Sequence, residues 1–190
     1  MSSFQSAGYV KVKNMVDEQT VKTISQYFEN KINRGEWVAK PEKASKLEYY
    51  ADPLIEVLLK ECLPVVEEQT RLELEPTYSF SRVYQEGEEL IPHTDRPSCE
   101  ISATINVACT GDIWPIWMQY ESNDPVKCLL EPGDAVIYKG CEVTHWRRKL
   151  PKGHINVQFM LHYVDKNGPC AEYKFDKREA LGLDSSACRS

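Results

Sequence analysis

Apolar residues recur at helical spacing in the first third of the chain and at strand spacing in the rest. Gly8 to Lys13 (GYVKVK) alternates apolar and polar positions and predicts a short strand. Asp17 is placed to cap a helix in which Val21, Ile24, Tyr27, Phe28 and Ile32 share one face. Asp52-Pro53 opens a second helix, because Asp supplies an N-cap acceptor and Pro fits the first turn. That helix runs through LIEVLLKECLPVVEEQT, with a bend expected at Pro64. Between the two, residues 35–52 (GEWVAKPEKASKLEYYAD) have mixed charge and weak periodicity, which predicts a long loop serving as a lid or a solvated connector.

From Thr77 the pattern changes to short β-rich runs: TYSFSRVYQ, EISATINVA, WPIWMQY, VKCLL, GDAVIYKG and HINVQFMLHYV. Turn signals at Gly87, Gly111-Asp112, Asn123-Asp124-Pro125, Pro132-Gly133-Asp134, Gly140 and Pro151-Lys152-Gly153 separate them. No helix-length segment lies between strands, which excludes a parallel βαβ sheet. The expected class is α+β, mainly β, with two N-terminal helices packed on one sheet of a sandwich, jelly roll or barrel. With no internal repeat and no sharp linker, residues 1–190 read as a single domain. Its N-terminal strand and helices occupy about 8–70, its β core about 76–164, and a polar, extended arm with a frayed tip 165–190.

Composition narrows the function classes. The chain has 190 residues, 42% hydrophobic and 27% charged, in the range of an ordinary folded domain. No apolar run approaches the roughly 20 residues of a membrane helix. The start, MSSFQSAG, has neither a basic segment nor a continuous apolar one, so no signal peptide is read and a cytoplasmic protein without a membrane partner is expected. Seven cysteines with no CxxC pair argue against a zinc ribbon or disulfide framework and suit a reducing compartment. A net charge of -6 makes nucleic acid an unlikely partner. The basic cluster Arg147, Arg148, Lys149 and Lys152 could hold phosphates or simply be solvated.

Glycine-rich phosphate loops, GxSxG and HExxH are absent, so attention falls on four histidines. His93-Thr94-Asp95 follows an apolar Leu90-Ile91-Pro92. Residues two apart on a strand point to the same face, so the His93 imidazole and the Asp95 carboxylate can converge on one cation. Fifty residues later His145, just beyond the strand GDAVIYKG, can bring a second imidazole. Two His and one carboxylate on one face of an octahedron leave three positions open, the arrangement of non-haem Fe(II) oxygenases.

In these segments the sequence resembles the Fe(II)/2-oxoglutarate-dependent dioxygenase superfamily, and within it the prolyl-4-hydroxylase-type oxygenases. Three pieces carry the resemblance between about Tyr78 and Tyr163: Arg82-Val-Tyr84-Gln-Glu-Gly87 leading into His93-Thr-Asp95, Glu131-Pro-Gly-Asp-Ala-Val-Ile-Tyr138 before His145, and Gly153-His-Ile-Asn-Val-Gln-Phe159 after it. The resemblance implies a double-stranded β-helix (cupin-like jelly roll), with His93, Asp95 and His145 as iron ligands and Tyr84 touching 2-oxoglutarate. It implies dioxygen as the other cosubstrate and hydroxylation of an unactivated C–H bond, a prolyl or other peptide side chain being the first substrate class and a small molecule the other.

One departure stands out. Such enzymes usually carry Arg or Lys on the strand after the second histidine, often as RxS, to pair with the far carboxylate of 2-oxoglutarate; here the triplet is His154-Ile155-Asn156. A protonated His154 with Asn156 could hold that carboxylate, though without the permanent charge and fork of Arg. Lys152, Arg147 or Arg148 could supply the charge instead, or the cosubstrate could differ. Strand parity groups His154, Asn156, Gln158, Met160 and His162 on one face and Ser102, Thr104 and Asn106 on another, so Thr104 and Asn106 are further candidates for pocket lining. Arg96 could meet a substrate carboxylate or form a surface ion pair, and Trp114, Trp117 and Trp146 could be core or substrate clamp. The alternative function is a cupin-like metalloprotein that binds a small acid without 2-oxoglutarate-dependent chemistry.

Overall fold

The computed structural model describes residues 3–36 and 47–182. Its helices are α1 (Ser3–Ala7), α2 (Glu18–Asn33), α3 (Pro53–Glu61) and α4 (Leu63–Thr70). Its strands are β1 (Tyr9–Val12), β2 (Leu47–Tyr50), β3 (Leu74–Tyr84), β4 (Leu90–His93), β5 (Ile101–Cys109), β6 (Ile116–Gln119), β7 (Val126–Cys128), β8 (Ala135–Lys139), β9 (Thr144–Arg147) and β10 (Asn156–Asp165). They form a six-stranded sheet, β1-β8-β5-β10-β3-β2, facing a four-stranded sheet, β4-β9-β6-β7, with antiparallel pairing throughout. Two facing sheets rather than a closed barrel make this a double-stranded β-helix with helices on one side.

The central strands show how the sequence sets the layers. On β10, Phe159, Leu161 and Tyr163 alternate with Asn156, Gln158 and His162; on β5, Ile101, Ala103, Ile105 and Val107 alternate with Ser102, Thr104 and Asn106. The apolar sets join Val21, Ile24 and Phe28 of α2 and Ile55 and Leu59 of α3 in the main core. Each such Val, Leu, Ile or Phe side chain contributes about 1.5–3 kcal/mol by leaving water. The polar sets are equally buried and point between the two sheets. A buried polar interior needs partners, and this one is where the chemistry sits.

Both helix caps expected from the sequence form. Asp17 accepts from the Thr20 N–H, and Asp52 accepts from the Leu54 and Ile55 N–H groups. Asp52 is fully buried and also pairs with Lys31 at 2.9 Å and with the Tyr27 hydroxyl, which clamps α2 to α3. The second helix breaks at Cys62, beside Pro64, into α3 and α4.

Some details depart from the sequence reading. Residues 47–50 of the presumed loop are a strand: Leu-Glu-Tyr-Tyr is a good β sequence and adds to the open edge of β3. The remainder of the lid-or-connector segment, 37–46, lies outside the described residues, as does the presumed frayed tip, 183–190. His145, Trp146 and Arg147 lie on strand β9, which β4 and β6 flank on either side, while Arg148 and Lys149 of the basic cluster follow it. The C-terminal arm is not extended but coils through Ala171–Lys177 in short turns, with Phe175, Asp176 and Lys177 all at positive φ. Arg96 grips Asp176 through two bonds of 2.9 Å, and buried Arg178 pairs with Glu56, so ion pairs fix the arm where apolar periodicity is lacking.

Candidate metal centre

Three ligand-type side chains meet at the mouth between the sheets. His93 ends β4 and pairs directly with His145 on β9, so the two imidazoles lie side by side with ring centroids 4.3 Å apart. Asp95 lies two residues past β4 and is held by its N–H donating to Gly140 O at 2.8 Å. Both histidine Nε2 atoms are 3.6 Å from Asp95 Oδ1. Two atoms at that separation can both sit about 2.1 Å from one ion.

The orientation of each ligand is fixed from behind. His93 Nδ1 is 2.9 Å from Ile91 O and His145 Nδ1 is 3.1 Å from Val143 O. A carbonyl can only accept, so both Nδ1 atoms carry the proton and both Nε2 lone pairs face the centre. Ser102 Oγ is 2.9 Å from Asp95 Oδ2 and 2.9 Å from His162 Nδ1, which leaves Oδ1 free on the histidine side. A side chain at Gly140 would collide with Cys99 O, Asp95 Oδ2 and Ser102 Oγ, so only glycine leaves room for this arrangement.

Electrostatics favour a cation. Burial pushes the Asp95 carboxyl above its ordinary pKa, against the opposing pull of His162 and the Ser102 hydrogen bond. Burial pulls both His145 and His162 down to about 4, so they are neutral near pH 7. A desolvated carboxylate beside the neutral His145 imidazole favours a positive partner, and a divalent metal ion supplies one. The donor set, two nitrogens and one oxygen, fits Fe(II).

Behind the centre lies a cavity of about 200 Å³, lined by Tyr84, Arg82, Thr104, Tyr138, Gln158 and His162 together with apolar Phe80, Leu90, Ile116 and Met160. The other sequence candidates divide into two groups. Tyr84 and Thr104 line the cavity; Tyr84 packs edge-on against Trp114, and Thr104 Oγ1 is 3.3 Å from the Tyr138 hydroxyl. Asn156 is buried and turned inward, its amide N–H 3.5 Å from Gln158 Oε1. Asn106 donates to Leu130 O and its backbone holds Gly133 and Asp134, so it anchors the turn before β8. His154 does not reach the cavity: β10 begins at Asn156, and the ring lies against Gly111 outside it.

The Trp117 and Trp146 rings stack on each other with centroids 6.2 Å apart, and Arg148 sits over Trp117. The basic cluster is therefore not one patch, since Arg147 turns inside. Sequence reasoning missed Ser102, His162 and Gly140 as supports of Asp95, although strand parity had already put Ser102 and His162 on the relevant faces. Among the described residues no helix is long and apolar enough to cross a membrane.

Comparison with known proteins places the fold. No family model and no curated protein matches the sequence. Solved structures do match. A prolyl-4-hydroxylase from Pseudomonas putida is 13% identical, with a TM-score of 0.69 over 86% of this chain and 95% of that one. The non-haem α-ketoglutarate-dependent epimerase SnoN from nogalamycin biosynthesis is 12% identical, with a TM-score of 0.72 over 95% and 86%. HygX from Streptomyces hygroscopicus, with nickel and 2-oxoglutarate bound, is 10% identical, with a TM-score of 0.67 over 86% and 85%. The chain thus has the double-stranded β-helix fold of the 2-oxoglutarate and Fe(II) oxygenases.

Proposed function

We propose that the protein is an Fe(II)- and 2-oxoglutarate-dependent dioxygenase that hydroxylates an unactivated C–H bond. The observation that carries this reading is the convergence of His93 Nε2, His145 Nε2 and Asp95 Oδ1, with both imidazoles locked by carbonyls, at the mouth of a buried polar cavity. These three residues would hold the metal. Bound Fe(II) with 2-oxoglutarate would supply the oxidising chemistry, in which one oxygen atom of dioxygen ends in succinate, formed with loss of CO2, and the other in the hydroxylated product.

The remaining roles belong to the chain. Tyr84 and Thr104 bind and orient the cosubstrate, while Phe80, Ile116 and Met160 wall off water. Asn106 acts from behind Thr104 by fixing the turn that leads into β8. His93, about one third exposed, marks the side from which substrate enters. The likeness to prolyl hydroxylase structures, one of them in complex with a peptide, supports a prolyl or similar peptide residue as the proposed substrate class. The free cysteines among the described residues support a reducing, cytoplasmic setting.

The test is anaerobic addition of Fe(II) and then 2-oxoglutarate to metal-free protein, followed in the visible range for the charge-transfer band of a chelated oxoacid. Admission of dioxygen should then give succinate, and His145→Ala should abolish both signals. A protein that binds stoichiometric Fe(II) yet shows neither band nor succinate would instead be the cupin-like metalloprotein.

A further inference from the structure

We propose that Arg147, on β9, is the anchor for the distal carboxylate of 2-oxoglutarate, replacing the basic residue that related enzymes carry at the start of β10. This rests on the function proposed above. Arg147 is 2% exposed, and no carboxylate lies within ion-pair distance of it among the described residues. A guanidinium removed from water without an anion is retained where a ligand supplies one. Its present partners are neutral: Nη1 donates to Trp114 O at 2.5 Å and Nη2 to Gln158 Oε1 at 2.7 Å, while buried Nε has no acceptor.

Position agrees with charge. Arg147 is two residues after His145 on β9, so it faces the same interior. Gln158 Oε1 is shared between Arg147 and Asn156 Nδ2, so the guanidinium ends beside Asn156, the last residue of the His154-Ile155-Asn156 triplet that stands where such enzymes carry RxS. Asn156 in turn pairs in register with Tyr84, and the Arg147 guanidinium lies 4.7 Å from the Trp114 ring that packs on Tyr84. Gln158 lines the cavity, and its Oε1 holds the acceptor place that a ligand carboxylate takes when the amide swings aside.

The other candidate cations are committed elsewhere. Arg82 pairs with Glu48 at 3.4 Å and Glu88 at 3.3 Å. Arg148 covers Trp117, Lys152 is exposed, and His154 lies against Gly111.

The test compares two oxoacids on anaerobic Fe(II)-loaded protein: 2-oxoglutarate, and pyruvate, which chelates metal but has no distal carboxylate. Arg147→Gln should weaken 2-oxoglutarate about 10- to 100-fold, the range for a lost charge-assisted hydrogen bond. Pyruvate and Fe(II) affinities should not change. Adding Asn156→Arg to Arg147→Gln should restore the preference for 2-oxoglutarate from the neighbouring strand. Should Arg147→Gln fail to fold, Gln158→Glu tests the same point, since an internal carboxylate at that acceptor neutralises Arg147 and should erase the preference. Unchanged discrimination in the folded variants overturns the assignment and leaves the oxygenase reading standing. Wild-type protein that binds Fe(II) but neither oxoacid overturns that reading itself.

Discussion

Ser102 has one hydroxyl proton and two neighbours at 2.9 Å, Asp95 Oδ2 and His162 Nδ1. Donation to the carboxylate is the charge-assisted choice, so the Ser102 oxygen accepts from a protonated His162 Nδ1 and the chain of bonds runs from His162 to Asp95. Ser102→Ala should therefore lower divalent-metal affinity about 10- to 100-fold with little change in melting temperature, as calorimetric titration would record. Gly140→Ala should be more damaging, because its methyl group would collide with Cys99 O and press on the carboxylate itself. Loss of metal binding together with lower thermal stability is the expected result. His154→Ala, in contrast, should leave 2-oxoglutarate binding as it was. The convergence of His93, Asp95 and His145 was legible in the sequence because His93 and Asp95 are two residues apart and His145 stands in a distinctive context. Ser102–His162 and Arg147–Gln158 were not, since each partnership depends on the register of strands that only the folded sheets define.

At the scale of elements, β10 is the spine of the larger sheet, hydrogen-bonded to β3 on one side and β5 on the other. Its long alternating pattern made it readable, and so were β1, β3, β5 and β8. Strands β2, β4 and β9 were harder because, although they are as long as β1, they lack its alternating run and each is defined by the strand it pairs with. The junction of α2 and α3 carries its own test. Asp52→Ala removes a helix cap and leaves Lys31, 12% exposed at its side chain, without its buried partner. Breaking such a pair typically costs about 3–5 kcal/mol, to be read as a shift in the denaturant midpoint. Since neither Asp52, Lys31 nor Tyr27 lines the cavity, metal affinity at low denaturant should not follow.

For the whole molecule, acidity is the lever. His145 and His162 have folded-state pKa values near 4 against an ordinary 6.5. At these two histidines the unfolded chain binds more protons than the folded one between those values, so the stability they supply is complete above about pH 6.5 and falls as pH drops toward 4, while the raised Asp95 carboxyl acts in the opposite sense. Each histidine contributes at most on the order of 3 kcal/mol to that loss. Metal-free protein should accordingly melt at progressively lower temperature from pH 6.5 to 4. Fe(II) or Mn(II) should raise the melting temperature most at the upper end of that range, where the ligands need not shed protons.

The three ligands are not equally placed. His145 is 3% exposed at its side chain and Asp95 13%, whereas His93 is 34% exposed and ends a strand paired on one edge only. In the proposed reading a bound ion would meet solvent mainly on the His93 side, with Asp95 and His145 deeper in the site. Its rate of release is then expected to depend most on the outermost imidazole. Chelator-driven release in stopped flow should quicken sharply in His93→Gln, while a residual, fast-exchanging ion persists on the inner pair.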